Sequence, residues 1–238
     1  MTHQKPALII GNGPSVNLLD PALLKSFVTF GSNHIYKIFP EWGLQTDNVV
    51  ITDSHRINEI GNAYKDFRGS MYVGDERYAY PPVRRIRKIL GRDFIPLRQL
   101  TKETIRNWRI LDRVRWHRLL YSTVFSKMNF TFNYSVGINF GYSVVISAIQ
   151  IAIIEGYRTI LLTGVDSRYL ARKDYFAGAE SSVGFVNESF IANPRSFMEP
   201  VLVALQIAAE SIDAQIIDCT PNGSLRFIKK GNVSAYLP

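Results

Sequence analysis

The chain has 238 residues, of which 46% are hydrophobic and 12% aromatic, and it carries a formal net charge of +8. This composition excludes a disordered chain and predicts one globular domain with a substantial core. A single cysteine, Cys219, excludes an internal disulfide and a cysteine-rich zinc site. The polar start does not resemble a signal peptide, and the longest apolar run, residues 144–154, is too short to span a bilayer. We therefore expect a cytoplasmic protein, with peripheral binding to the inner membrane left open.

The first predicted strand, Ala7–Gly11, leads directly into a turn that contains Gly11 and Gly13, followed by Pro14 and Ser15. A buried parallel strand that ends in such a turn presents backbone N–H groups to a phosphate at the carboxyl edge of a sheet. A tight strand-to-helix turn without any ligand explains the same residues equally well. The spacing is not that of the dinucleotide-binding fingerprint, which needs a third glycine two residues further on.

Strands and helices alternate along the rest of the chain. This alternation predicts an α/β fold, a Rossmann-like and mainly parallel sheet with helices on both faces. The segments Asp75–Lys102 and Ser167–Pro194 are the least regular and are long enough to form lids or acceptor-binding loops. The further predicted strands are Val28–Ser32, Asn48–Thr52, Ser70–Val73, Thr159–Thr163 and Gln215–Asp218, and the predicted helices are Pro21–Phe27, Ser54–Phe67, Tyr142–Glu155 and Ser196–Ile212.

The positive charge is concentrated in one segment, residues 84–118, which holds twelve Lys or Arg against three acidic residues and so carries +9. Trp108 and Trp116 are interleaved with these cations. The pattern predicts a basic helical insertion, at about residues 78–125, within a single domain that comprises residues 1–238. The insertion is interpreted either as a solvated cover of the active site or as a surface for an anionic membrane or glycolipid. Nucleic acid is the less favoured ligand.

The strand Thr159–Thr163 is followed by Gly164 and Asp166, which we expect at the carboxyl edge of the sheet. Open α/β sheets bind their ligands at this edge. From its position, Asp166 is a candidate to orient a ribose hydroxyl, to hold a metal, or simply to cap the loop that follows.

The glycine turn of residues 11–15, the strand that ends in Gly31-Ser32-Asn33, and the block from Ser143 to Asp166 resemble the bacterial sialyltransferases that use CMP-activated sugars. The chain is also similar to a related group of bacterial proteins named after the archaeal 6-hydroxymethylpterin diphosphokinases. The resemblance covers about two-thirds of the chain and excludes the basic segment and the region after Phe176.

The resemblance implies a nucleotide site. Asn12, Gly13 and Ser15 would approach the phosphate and the ribose, and Asn33 would contact the cytidine or the donor sugar. Tyr169 and Tyr175 have the spacing of the two phosphate-binding tyrosines in the sialyltransferases. Two such phenols stabilise a leaving phosphate without a metal. Three residues after the last strand are implied to help hold the nucleotide, together with Asp166: Thr220, Asn222 and Ser224.

The chain departs from the sialyltransferases at the general base. Their catalytic histidine follows the two tyrosines, whereas the last histidine of this chain is His117. His55 follows the third predicted strand and is the first candidate for the base, because histidine titrates near neutral pH. Asp174 and Glu188 are the other candidates, and His34 is a candidate for the nucleotide site.

Three functions follow from these patterns. The first is a glycosyltransferase that moves an acidic sugar from a CMP-activated donor to a bacterial surface glycan or glycolipid. It would need no cofactor and no metal, and its partners would be the nucleotide sugar, the anionic acceptor and, through residues 84–118, an anionic membrane. The second is an ATP- and magnesium-dependent diphosphokinase of a pterin-like alcohol. The third is a non-catalytic protein that binds nucleotides or nucleic acid.

Overall fold

The structure, a computed structural model, describes residues 5–100, 130–167 and 194–237, apart from the side chains of residues 194–197. These residues form a seven-stranded sheet in which all neighbouring strands are parallel. Most strand positions carry apolar side chains, many of them β-branched, because a parallel sheet is buried on both faces. The strands are β1 (Ala7–Ile10), β2 (Val28–Ser32), β3 (Asn48–Ile51), β4 (Ser70–Val73), β5 (Ile95–Pro96), β6 (Thr159–Thr163) and β7 (Gln215–Asp218).

The order of the strands is β5-β4-β3-β2-β1-β6-β7. The chain adds β2 to β5 on one side of β1 and then returns to add β6 and β7 on the other side. Ile9 of β1 accordingly pairs with Phe30 of β2 on one side and with Leu162 of β6 on the other. The direction of the strand order therefore reverses between β1 and β6, and ligands of open parallel sheets bind at the carboxyl end of such a reversal.

Helices cover both faces of the sheet, as predicted. One face packs against the two long helices α4 and α5, and the other face packs against α2, α3 and the 3₁₀ helices. Within the described ranges the α-helices are α1 (Phe39–Trp42), α2 (Ser54–Ile60), α3 (Val83–Leu90), α4 (Val144–Ile154) and α5 (Pro194–Glu210), and the 3₁₀ helices are Pro14–Leu18, Pro21–Ser26, Ile35–Ile38 and Val233–Tyr236.

Helix α4 is the central helix of the fold and is buried at every position from Val145 to Ile153. Its N-terminus is capped by Ser143, whose hydroxyl accepts a hydrogen bond from the Val145 N–H at 3.3 Å. The helix is followed by Gly156, which has a φ of 98°, so the chain can turn there into β6. The prediction of a buried helix that ends at a glycine is confirmed.

Two elements differ from the prediction. The segment Asp75–Lys102 was predicted to be irregular, but it contains α3 and the short edge strand β5, which pairs with β4. Part of the predicted basic insertion therefore belongs to the sheet, and residues 101–125 lie outside the described residues. The helix predicted over Ser54–Phe67 ends at Ile60, because Gly61 adopts a φ of 53° and turns follow. Of the helices in the described ranges, none combines the length and the apolar character needed to cross a membrane.

Candidate active site at the carboxyl edge of the sheet

The loops that follow β1 and β6 cross in very close contact at the point where the strand order reverses. The Gly11 N–H donates to the Thr163 carbonyl at 2.8 Å, and the Gly13 N–H donates to the Gly164 carbonyl at 2.9 Å. A Cβ atom on Gly11 would lie 2.3 Å from the Gly164 carbonyl oxygen, so no larger residue fits there without a backbone shift. The glycines are thus needed to bring the two strand ends together.

Ser15 and Asp166 connect the two loops by side-chain contacts. The Ser15 hydroxyl donates to Asp166 Oδ2 at 2.8 Å, and the Ser15 N–H donates to the same oxygen at 3.4 Å. Burial raises the pKa of Asp166, and the hydrogen bonds from Ser15 oppose that shift. Asp166 is therefore a partly desolvated carboxylate held in one orientation.

These contacts bear on the two interpretations of the turn, a phosphate site built from backbone N–H groups or a tight turn without a ligand. The N–H groups of Gly11, Gly13 and Ser15 all donate within the protein, because the turn packs directly on the loop after β6. These three N–H groups are therefore engaged with the protein and do not face a ligand.

Asn12 and Asn33 each bring an amide side chain to this edge. Asn12 Nδ2 donates to the carbonyl and to the hydroxyl of Ser32, both at 3.1 Å. Because a carbonyl oxygen only accepts, this contact fixes the orientation of the Asn12 amide. Asn33 has a left-handed φ of 45°, and its backbone carbonyl accepts a hydrogen bond from the Tyr64 hydroxyl at 2.6 Å.

Four buried polar atoms at the ends of neighbouring strands lack a hydrogen-bond partner among the described residues. They are Asn12 Oδ1 after β1, Asn33 Oδ1 and His34 Nε2 after β2, and Ser167 Oγ after β6. A buried polar atom without a partner costs about 1–3 kcal/mol, so such atoms are usually satisfied by water or by a ligand. Ser167 was not among the predicted site residues, and its position directly after Asp166 is the only signal for it in the sequence.

The turn after β7 completes the edge. Thr220 Oγ1 accepts from the Val165 N–H at 3.2 Å, and the Ser224 hydroxyl donates to the Asp166 carbonyl at 2.8 Å. Asn222 lies in the same turn with a φ of 56° and an exposed side chain. Thr220 and Ser224 therefore support the loop that carries Asp166, whereas Asn222 faces solvent.

His34 and His55 lie further along the edge, after β2 and β3. His34 is buried, and its Nε2 is 3.5 Å from Glu59 Oε2. At this distance the two groups interact electrostatically but do not form a hydrogen bond. Burial lowers the pKa of His34 to about 4, although the charge of Glu59 opposes that shift. His55 is exposed in the first turn of α2, where Asp53 caps the helix by accepting from the His55 N–H at 2.7 Å.

The structure thus brings together most of the predicted nucleotide-binding residues. Asn12 is hydrogen-bonded to Ser32. Asp166 is hydrogen-bonded to both Ser15 and Ser224. The predicted Tyr169 and Tyr175, and the alternative bases Asp174 and Glu188, lie outside the described residues. The ligand roles of all these residues stay predictions.

One of the comparisons with known proteins agrees with the fold. Neither a protein-family model nor a curated protein matches the chain. A solved structure described as the MAf glycosyltransferase from Magnetospirillum magneticum AMB-1 is similar at a TM-score of 0.58 and 14% identity, over 99% of this chain and 34% of that chain. The present chain therefore spans about a third of that protein. The sialyltransferase CstII from Campylobacter jejuni, solved in complex with a substrate analogue, cytidine-5'-monophosphate, is similar at a TM-score of 0.43 and 15% identity, over 98% of this chain and 87% of that chain.

Proposed function

We propose that the protein is a glycosyltransferase that moves an acidic sugar from a CMP-activated donor to an anionic surface glycan or glycolipid. The observation that carries this proposal is the pair of buried amide oxygens of Asn12 and Asn33, which lack partners within the described residues and follow β1 and β2, beside the point where the strand order reverses. Both oxygens are acceptors. They suit a ligand that offers several donors, such as the ribose hydroxyls and the amino group of cytidine.

The likeness of the fold to a protein described as a glycosyltransferase supports this general class of reaction. The CMP donor and the acidic sugar rest on the sequence resemblance to the sialyltransferases. In the proposed reaction an acceptor hydroxyl oxygen bonds to the anomeric carbon while the bond from that carbon to the phosphate oxygen breaks. CMP leaves with the bonding electrons, and a base takes the proton of the hydroxyl.

Seven of the predicted residues have a direct role in this reaction, and Thr220 and Ser224 support the loop that carries Asp166. Asn12 and Asn33 would bind the nucleoside, and Asp166 would hold the turn of Ser15 and orient a ribose hydroxyl. His55 is our candidate for the base, because it is exposed at the same edge as these residues. The hydroxyls of Tyr169 and Tyr175 would stabilise the leaving phosphate, which needs no metal.

The experiment that tests the proposal is an assay of CMP release from CMP-activated acidic sugars, with and without acceptor glycans. A matched incubation contains ATP, magnesium and a pterin alcohol. Acceptor-dependent release of CMP would support the proposal, and Tyr169→Phe should then slow it about tenfold through the loss of one oriented donor. Phosphoryl transfer from ATP in the matched incubation would favour the diphosphokinase instead. No turnover with any donor would favour a non-catalytic protein.

A further inference from the structure

A loop that follows the candidate site presents an exposed aromatic ring among cations. Phe227 is 72% exposed, whereas its neighbours Leu225 and Ile228 are each 2% exposed and belong to the core. Arg226 and Lys229 are also exposed. The loop, residues 225–230, therefore turns two apolar side chains inward and one outward, beside two positive charges.

The exposed position of Phe227 is fixed by the backbone. The carboxylate of Glu199, which is 5% exposed on α5, accepts hydrogen bonds from the N–H groups of both Arg226 and Phe227, the latter at 3.0 Å. Further along the loop, the Lys229 carbonyl accepts from the Asp218 N–H at 2.8 Å, which attaches the loop to the end of β7. The two hydrogen bonds to Glu199 fix the backbone at Arg226 and Phe227, so that the Phe227 ring is held in its exposed position.

Similar residues lie at the opposite end of the same edge. After β4, Tyr78 and Tyr80 are 43% and 56% exposed, and Arg84 and Arg85 are exposed at the start of α3. Five strand spacings separate β4 from β7, which is about 24 Å. The candidate site lies between these two ends, at the carboxyl ends of β1 and β6.

We propose that this edge of the protein docks on an anionic lipid bilayer, with Phe227 inserted at the level of the headgroups. Exposed cations are attracted to anionic lipids, and aromatic rings partition into the bilayer interface. Single-stranded nucleic acid is bound by stacking successive bases on several aromatic rings, whereas residues 225–230 present one ring, and this favours a lipid surface over nucleic acid. If the proposed function holds, docking would turn the site toward a lipid-linked acceptor.

The test is co-sedimentation of the whole chain with phosphatidylcholine vesicles, with and without phosphatidylglycerol. We expect binding only to the anionic vesicles, and weaker binding as salt increases. Phe227→Ala should reduce the partition coefficient about tenfold through the loss of inserted apolar area. Arg226→Gln combined with Lys229→Gln should reduce it about 25-fold, since each cation near an anionic surface contributes about fivefold.

Matched controls come from the amino edge of the sheet. Ile207→Ala removes a side chain that is 64% exposed near the end of α5, and Lys25→Gln with Lys65→Gln removes two exposed cations. Both controls should bind vesicles as the unmodified chain does. Equal binding to neutral and anionic vesicles, no binding at all, or equal losses in the control variants would overturn the proposal. Binding of single-stranded oligonucleotides in place of vesicles would overturn it in favour of nucleic acid.

The test of vesicle binding and the test of the proposed function give separate results, because CMP affinity is measured without vesicles. Phe227→Ala should leave CMP affinity unchanged, and Asp166→Asn should leave vesicle binding unchanged. Failure of vesicle binding with intact CMP binding would reject the docking surface alone. Intact vesicle binding without CMP binding would reject the nucleotide site alone.

Discussion

Ser15 and Asp166 are 151 residues apart in the chain, yet the hydroxyl of one and the carboxylate of the other meet at 2.8 Å. Burial raises the pKa of this carboxylate, so its ionised form is less stable in the folded protein than in the unfolded chain. The folded protein keeps Asp166 at a cost in stability, which is typical of a residue retained for binding or catalysis.

The first prediction concerns the stability of Asp166→Asn. The unfolded carboxyl ionises near its ordinary pKa of 3.8, and the folded one ionises only at a higher pH. The unmodified protein therefore loses stability as the pH rises through this window. The asparagine keeps an oxygen for the Ser15 hydroxyl, so the variant should be at least as stable at pH 7, and its advantage should vanish below the ordinary pKa. Urea unfolding across this pH range measures the difference, and a variant less stable than the unmodified protein at pH 7 would contradict it.

The second prediction concerns His34, whose pKa falls from 6.5 to about 4 on folding. Below pH 6.5 the unfolded chain binds a proton that the folded protein does not yet bind, so acidification reduces stability until about pH 4. The pKa difference corresponds to a loss of up to about 3 kcal/mol. We expect His34→Gln to lose less stability over this range. Parallel pH curves for His34→Gln and the unmodified protein would show that His34 is not the cause.

The third prediction concerns the reaction. If His55 takes the proton of the acceptor, His55→Gln should reduce kcat by about a hundredfold or more. Its affinity for CMP should not change, because the side chain is exposed beyond the cluster of Asn12 and Asp166. Steady-state kinetics and CMP titration together separate these effects. A variant with full kcat would move the role of the base to Asp174 or Glu188.

At the scale of elements, hydrophobic patterns predicted the six longer strands and α4, because these segments carry runs of apolar or β-branched residues with clear ends. They did not define α3, which lies within the basic helical insertion expected at about residues 78–125, and they did not predict β5. Helix α3 has four exposed cations in eight residues and buries only Ile86 and Leu90. Two buried apolar positions are too few to give a clear helical pattern. Strand β5 has two residues and is defined by its pairing with Tyr72 and Val73, which no local pattern reveals.

The fourth prediction concerns the packing of α4. The buried side chain of Gln150 accepts from the Asn139 N–H at 3.0 Å and donates to the Asn139 carbonyl at 2.7 Å. It thereby attaches the connection before α4 to the helix itself. Gln150→Ala removes both of these hydrogen bonds from the buried Asn139 backbone, although the Ser147 hydroxyl still donates to the Asn139 carbonyl at 3.4 Å. Together with the cavity left in the core, the loss should cost about 2–4 kcal/mol of unfolding free energy.

The matched control for this prediction is Gln206→Ala on α5. Gln206 is half-buried, and its Nε2 donates to the exposed Glu210 one turn along the helix at 2.9 Å, while its Oε1 has no partner among the described residues. Its loss leaves no backbone group without its hydrogen bond and should cost less than about 0.5 kcal/mol. Equal destabilisation of the two variants in urea unfolding would contradict the role given to Gln150.

At the scale of the whole molecule, the location of the candidate site could be predicted because parallel strands place their carboxyl ends at one edge. The glycine turn after β1 and Asp166 after β6 were expected there, and the strand order places them side by side. The use of the backbone N–H groups could not be predicted, because it depends on how closely two loops cross. Ser167 could not be predicted either, since its significance comes from burial without a partner among the described residues.

The central claim is that CMP binds at the carboxyl ends of β1 and β6. Isothermal titration of CMP into the unmodified protein, Asp166→Asn and an Asn12→Ala, Asn33→Ala double variant tests it most directly. We predict saturable binding to the unmodified protein, and at least tenfold weaker binding to both variants, since each loses hydrogen-bond acceptors at the ligand. Equal affinity in all three proteins, or no binding to the unmodified protein, would contradict the claim.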